Sequence, residues 1–344
     1  MAVFANIEEM KEYASGASLH LALGSFDGIH IGHQALFDKA LSLARERGGS
    51  AAVLLLDPHP AKVVGGSGDV RMLTTLEEKI RWIGLYGDID IFILPFDLKL
   101  AAYSPEDFVR RCLIGIFNIK TAIIGHNYRF GAKKSGNAET LDALSRDLGF
   151  DCHIAPLVTD GLRAVSSTHI RRLIETGATL ESYEGLGHCH VFRGDVVAGD
   201  RIGSSIGYPT ANLRIGEDSI WPGMGVYGGF SMDDKGNVYK SVVNVGVRPT
   251  VADGRDISGP GAKASFEVHL FGFSGDLYDR KLRVILGGRI REEARFSGLS
   301  ALKDQIAKDS MVALASLEAW EKFLSQKELT PASLFTCFMK DFPL

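Results

Sequence analysis

The feature that most constrains this chain is a strand, loop, helix and strand unit near its start. An apolar run from Leu19 to Leu23 enters the glycine-bearing turn GSFDGIHIGH. Ala35, Leu36, Ala40, Leu41 and Ala44 then recur at helical spacing as far as Gly48 and Gly49. A second apolar run, Ala51 to Leu56, stops at DPHP. This reads as a βαβ crossover, in which both strand ends open on one edge of a parallel sheet. Open α/β sheets bind their ligands at that edge.

The alternation continues with a helical stretch from Leu76 to Tyr86, a strand from Ile89 to Leu94, a helix from Pro105 to Leu113 and a strand from Thr121 to Gly125. It closes with Cys152 to Pro156, the segment VSSTHIRRLIETG and a short helix ending near Gly187. Beyond Gly187 the texture changes to short β-rich runs, separated by turn signals such as Asp233-Asp234-Lys235-Gly236-Asn237 and Phe273-Ser274-Gly275-Asp276. That pattern predicts a small antiparallel barrel, closed off by a helix from Leu299 to Leu324. At 344 residues, two domains are expected, 1–186 and 187–344. The final LFTCFMKDFPL is apolar and aromatic, which suits a core edge or a weak homo-oligomer contact.

With a formal net charge of −4, the chain offers no general attraction for nucleic acid, so its basic residues must act locally. Cys112, Cys152, Cys189 and Cys337 are far apart and lack zinc-ligand spacing. No apolar run reaches the length of a membrane span, and the start has no leader pattern, so a cytoplasmic protein with no membrane association is expected.

Two segments in the first half carry chemistry. His30 and His33, three residues apart at a helix entrance, share one face and can reach one anion. Backbone N–H groups of the Gly24–Gly28 turn, with Ser25 and Phe26, add donors that phosphate can approach closely. Later, Ser166, Ser167 and Thr168 precede Arg171 by one turn, a set that can hold phosphates. Each segment taken alone also fits a simple helix cap with a solvated neighbour. In the β-rich half, Thr210 and Asn212 of GYPTAN lie two apart on an extended segment and project to one face, offering neutral oxygens suited to Mg2+. Outside its context that string is a turn followed by a strand.

The motifs GSFDGIHIGHQAL, DPHP, LPFD with SPEDFV, GHNYRFG and SSTHIR, in that order, resemble the bacterial bifunctional riboflavin kinase/FMN adenylyltransferase (FAD synthetase) family. GYPTANL, GVY, NVGVRPT, FEVHLFGFSGDLY and IAKD resemble its kinase half, and the likeness spans about residues 15 to 310. The resemblance implies an α/β nucleotidylyltransferase-type (Rossmann-like) N-terminal domain and a C-terminal antiparallel β-barrel riboflavin kinase domain with a terminal helix. It implies phosphorylation of riboflavin to FMN, then adenylylation of FMN to FAD with release of pyrophosphate. ATP is the co-substrate and Mg2+ the metal, with no tightly bound prosthetic group.

By the same resemblance His30, His33 and Arg171 are catalytic, and Gly24, Ser25, Phe26, Asn127, Ser166, Ser167 and Thr168 bind ATP. His59 and Phe130 lie by the flavin, although a turn histidine and a core aromatic are equally ordinary readings of those two. In the kinase half Gly199, Gly207 and Pro209 bind ATP, Thr210 and Asn212 hold the metal, and Glu267 is the general base.

Three segments depart from the family pattern. GDRIGSSIGYPTAN displaces Arg201 and puts Ser204 where arginine is common; LGHCH, with His188, Cys189 and His190, replaces LGRPY; and Leu277-Tyr278-Asp279 replaces LYG. The first of these motivates one alternative, an adenylyltransferase with an impaired kinase domain; a second is a flavin- or nucleotide-sensing protein without catalysis, against which the retained His30, His33, Arg171, Thr210, Asn212 and Glu267 argue.

Overall fold

The computed structural model describes residues 1–65, 70–161, 163–199, 203, 207–247, 251–252, 255–256, 264–294 and 296–336. Two compact units emerge, the first covering Met1–Ser167 and the second Thr168–Lys340.

The first unit runs β1 (Val3–Phe4), α1 (Ile7–Gly16), β2 (Leu19–Leu23), α2 (Ile31–Arg47), β3 (Ser50–Asp57), α3 (Pro60–Val64), α4 (Leu76–Tyr86), β4 (Ile89–Pro95), α5 (Leu98–Ala101), α6 (Pro105–Phe108), β5 (Thr121–Gly125), α7 (Ala138–Leu148) and β6 (Asp151–Ala155). The six strands pair in parallel in the order β1-β4-β3-β2-β5-β6. Both faces are covered, which is why the strands read as continuous apolar runs. Leu19, Leu21 and Leu23 pack with Phe92, Leu113 and Leu141 on one face, while Ala22, Val53 and Ile91 pack under Phe37 and Ala40 of α2 on the other. The core even absorbs His20, whose ring nitrogens pair with Thr121 Oγ1 at 3.0 Å and the Gly48 carbonyl at 3.1 Å.

The helix expected from Pro105 to Leu113 forms, α-helical to Phe108 and continuing as a π-helix over Val109–Ile114. Both forms bury Phe108, Val109, Cys112 and Leu113, so apolar spacing does not separate them.

Strand order fixes where a ligand belongs. From β2 the chain proceeds to β3 and β4 on one side, then returns to place β5 on the other side of β2. His20 pairs with Thr121 and Ala22 with Ile123, so the loops after β2 and β5 leave the sheet side by side at its C-terminal edge. That reversal is the crevice where open sheets hold ligands.

The second unit takes in α8 (Ser167–Glu175) from its second residue, α9 (Thr179–Leu186), β7 (Phe192–Val197), β8 (Ala211–Ile215), β9 (Gly225–Met232), β10 (Val238–Val247), the short pair β11 (Val251–Ala252) and β12 (Arg255–Asp256), β13 (Ala264–Leu270), β14 (Lys281–Arg291) and α10 (Leu299–Gln326). Six strands close an antiparallel barrel in the order β10-β13-β8-β7-β14-β9. Phe192, Val196, Leu213, Val243, Val245, Phe266 and Val268 fill its interior by alternation. On the other face Phe230, Met232 and Ile285 pack against Leu317, Trp320 and Leu324 of α10. Asp309, the last residue of IAKD, is buried and receives Arg291 Nε at 3.0 Å and Nη2 at 2.8 Å, tying α10 to β14. The 233–237 turn forms as expected, with the Asp233 carboxylate accepting the Lys235 and Asn237 N–H groups.

Arg201, Ser204, the RPT of NVGVRPT, Cys337 and the rest of the terminal segment lie outside the described residues.

Candidate active sites, one in each unit

In the first unit the loop after β2 is gripped from one side by the stretch leading into α4. The Asp27 side chain is fully buried, and its carboxylate accepts the Leu73 N–H at 3.1 Å, the Thr74 N–H at 3.0 Å and the Thr74 hydroxyl at 3.2 Å. Thr74 Oγ1 in turn accepts the Gly28 N–H at 2.8 Å. These bonds hold a backbone that runs through positive φ at Phe26 (48°), Gly28 (86°) and Ile29 (44°). Side chains at such angles cost of order 1–3 kcal/mol each, so the surroundings must over-determine the loop. The Phe26 ring contributes by packing on Gly24, where a Cβ would stand 3.1 Å from it, and on His33 and Phe37.

That loop delivers His30 as the N-cap of α2, with Nδ1 accepting the His33 N–H at 3.3 Å. With Nδ1 accepting, a neutral His30 carries its proton on Nε2. The His33 ring stacks on it, with centroids 3.5 Å apart and an angle of 16°. His33 is 8% exposed, and its Nδ1 is buried with no hydrogen-bond partner. Burial first, then the charges of His30 and Lys79, hold the His33 imidazole well below its ordinary pKa, so it stands neutral.

Of the other residues expected here, Ser25 is exposed, and Asn127 is exposed after β5 with its Oδ1 3.3 Å from where a Cβ of Gly125 would be. His59 caps α3 at the end of β3, with Nδ1 accepting the Ala61 N–H at 3.2 Å. Phe130 is 7% exposed within the core, against Phe108 and Tyr128, so its side chain packs the domain. Ser167 Oγ donates to the Asp27 carbonyl at 2.9 Å, which ties the start of α8 to the loop. Arg171 follows Ser167 by four residues on the same face of α8, and it and Thr168 fall in the second unit. Sequence reading missed two residues here, Asp27 and Lys79. Lys79 is 6% exposed and its Nζ donates to the Ser25 carbonyl at 3.0 Å.

In the second unit, register assembles the other site. Asn212 on β8 stands opposite Glu267 on β13, and Glu267 stands opposite Asn244 on β10. Their inward neighbours, Ala211, Leu213, Phe266, Val268, Val243 and Val245, are buried, so the three polar side chains form a row on the outer face. Thr210 immediately precedes β8, with its Oγ1 3.3 Å from where a Cβ of Gly203 would be. His269 Nδ1 donates to the Pro209 carbonyl at 2.8 Å, fastening the PTAN turn to β13. Gly207 has φ of 89°, which its lack of a Cβ permits.

A Cβ at Gly199 would lie 2.1 Å from Asn212 Nδ2, so the bare backbone there is what leaves room for the Asn212 amide. Neutral oxygens of Thr210 and Asn212 beside one carboxylate form a hard donor set that fits Mg2+ bound chiefly by water and phosphate. Asn244, also missed, needs strand register to be found. Among the described residues, no cluster of three His, Cys, Asp or Glu side chains forms a metal cage, and no helix is long and apolar enough to cross a membrane.

Comparison with known proteins agrees with this division. The FAD synthetase family matches residues 13–169 and the riboflavin kinase family residues 186–317. Bifunctional riboflavin kinase/FMN adenylyltransferases are similar along nearly the whole chain. That of Bacillus subtilis is 33% identical, covering 86% of this chain and 91% of its own. The Pseudomonas fluorescens protein is 34% identical, covering 85% and 91%. A crystal structure described as a macrolide-efflux protein from Streptococcus pneumoniae superposes with a TM-score of 0.77 at 28% identity, covering 91% of this chain and 99% of that one. An α/β unit with a histidine-bearing anion loop, a six-stranded barrel with a polar outer row and these similarities lead to one assignment: this chain belongs to the bifunctional riboflavin kinase/FMN adenylyltransferase family.

Proposed function

We propose that the two sites divide flavin cofactor biosynthesis between them, with the catalytic modules meeting near residue 187. In the barrel, Glu267 accepts the proton of the ribityl 5'-hydroxyl as that oxygen attacks the γ-phosphorus of ATP, giving FMN and ADP. Thr210 and Asn212 would hold Mg2+, which when bound would supply positive charge against the phosphates, and Gly199, Gly207 and Pro209 shape the backbone beside them. Asn244, facing Glu267 across the ladder, orients the carboxylate.

In the α/β unit, an FMN phosphate oxygen attacks the α-phosphorus of a second ATP, forming FAD and releasing pyrophosphate. The nucleophile is already an anion, so alignment and charge stabilisation suffice and no covalent enzyme intermediate is needed. His30 donates from Nε2 to the α-phosphate and His33 lies against it, while Ser167 and Arg171 engage the departing phosphates. Ser166 and Thr168 stand beside them at the same helix start. Gly24, Ser25 and Phe26 supply backbone, and Asn127 borders the nucleotide from the β5 loop. His59 contacts the flavin side, and Phe130 supports that wall from the core. Riboflavin, FMN and ATP are small soluble metabolites, in keeping with work in the cytoplasm.

The observation that carries this reading is the stacked His30–His33 pair at the strand-order reversal, with one buried nitrogen left without a partner. Flavin chromatography tests it on protein incubated with ATP and Mg2+, started from riboflavin or from FMN. FAD from both reactions is the expected result. FAD from FMN alone would mean a silent kinase, and no product from either would leave only binding.

A further inference from the structure

Lysine is rarely buried without a task. Lys79 sits on α4, whose first turn is otherwise an exposed-looking Glu-Glu-Lys pattern closed by a Thr75–Glu78 capping box. Its neighbours reach the same loop: Leu73 and Thr74 hold the Asp27 carboxylate, Thr74 holds Gly28, and Lys79 holds the Ser25 carbonyl. Seven consecutive residues thus grip four, Ser25 to Gly28. A peptide unit is planar, with its C=O and N–H antiparallel. Turning the Ser25 carbonyl toward the ammonium therefore turns the Phe26 N–H to the side away from α4.

We propose that Lys79 is a positioning residue of the adenylyl-transfer centre: by clamping the Ser25 carbonyl it presents the Phe26 N–H as a backbone donor to the transferring nucleotide's phosphate. The positive φ of Phe26 fits this role, because the left-handed conformation persists only where neighbouring bonds impose it. The ammonium has a second effect. The titratable groups bearing on His33 are His30, stacked on it, and Lys79, and both oppose a second proton on its ring. Lys79 thus supplies positive potential to the anion site while keeping His33 neutral.

This inference rests on the assignment of His30 and His33 to adenylyl transfer, and three variants of the full chain separate the two ideas. Lys79→Met removes both clamp and charge, and kcat for FAD formation from FMN should fall by about 10²-fold, the usual cost of a misplaced reacting group. Riboflavin phosphorylation in the same preparation should be unchanged. Lys79→Gln keeps a donor for the Ser25 carbonyl without the charge. It should recover much of kcat, but the acid limb of the pH profile should move to higher pH, because His33 then takes a proton more readily. A residue that merely supported the fold would lower melting temperature without moving that limb.

Parental kcat and an unmoved acid limb in Lys79→Gln, or parental kcat in Lys79→Met, would overturn the proposal. If Lys79→Met does not fold, Lys79→Gln decides alone. FAD formation that survives His30→Ala with His33→Ala would instead sink the histidine assignment, whatever the Lys79 variants do.

Discussion

His30 and His33 stack face to face at 3.5 Å, and His30 Nδ1 accepts the His33 N–H, so one turn of backbone fixes the tautomer of the first ring and the position of the second. The second ring is buried against Phe26 with its Nδ1 lacking a partner, an arrangement that costs stability unless an anion or its counter-groups complete it. The strain belongs to the site rather than to the core.

Acid should destabilise the protein partly through His33. Its folded pKa is depressed by burial and by His30 and Lys79, so the unfolded chain binds a proton that the native state refuses. The contribution is complete above the unfolded value of about 6.5 and is lost as pH falls below it, by at most about 1.4 kcal/mol per pH unit. Urea midpoints at pH 7.5 and pH 5.5 should differ less in His33→Gln than in the parent; an equal difference would show that His33 does not carry the effect.

Asp27→Ala should be the most damaging substitution in the anion loop. It leaves the Leu73 and Thr74 N–H groups buried and unpaired, for a loss of about 3–5 kcal/mol. Denaturant unfolding measures the stability loss, and FAD formation from FMN should fail in conditions where the variant remains folded. An unchanged loop activity would show that the carboxylate is not its anchor.

Gly199→Ala probes the kinase site without touching a charged group. The new methyl must displace the Asn212 amide, which lies 2.1 Å from its ideal position. Riboflavin phosphorylation should drop by about 10-fold or more, since small displacements at a reacting centre are costly. FAD formation from FMN should hold. Equal loss of both steps would point to misfolding instead.

The thiols should be silent at neutral pH. Burial pushes Cys112 and Cys152 up to about 11 and Cys189 up to about 12. The thiolate is the reactive form, so alkylation of these three, followed by mass spectrometry, should be slow in native protein and fast in denaturant. Rapid loss of activity on labelling any of them would contradict the account.

Much of this was legible in the sequence because punctuation and periodicity agreed. LHLAL between Ser18 and Gly24 is a strand to the residue, and α9 ends at the glycine that the sequence offers. β1 is two residues long and leaves no period to read. α7 does have a signal, Asn137 before it, Gly149 after it and Leu141, Leu144 and Leu148 within. The site residues were found where a motif advertised them. Lys79 was not, because Glu-Glu-Lys on a helix looks like a solvated face and only packing turns it inward. Asn244 was not, because its partnership with Glu267 depends on strand register, which a single sequence does not state.

The most direct test of two independent sites is complementation between two inactive variants, followed by flavin chromatography. His30→Ala with His33→Ala should convert riboflavin to FMN and stop. Glu267→Gln should lose about 10²- to 10⁴-fold in FMN formation, the usual worth of a general base, and still make FAD when given FMN. A mixture of the two proteins with riboflavin, ATP and Mg2+ should then make FAD, because each supplies the step the other lacks. A mixture that stalls at FMN, while the Glu267 variant alone consumes added FMN, would contradict the account by showing that the intermediate does not pass freely between separate centres.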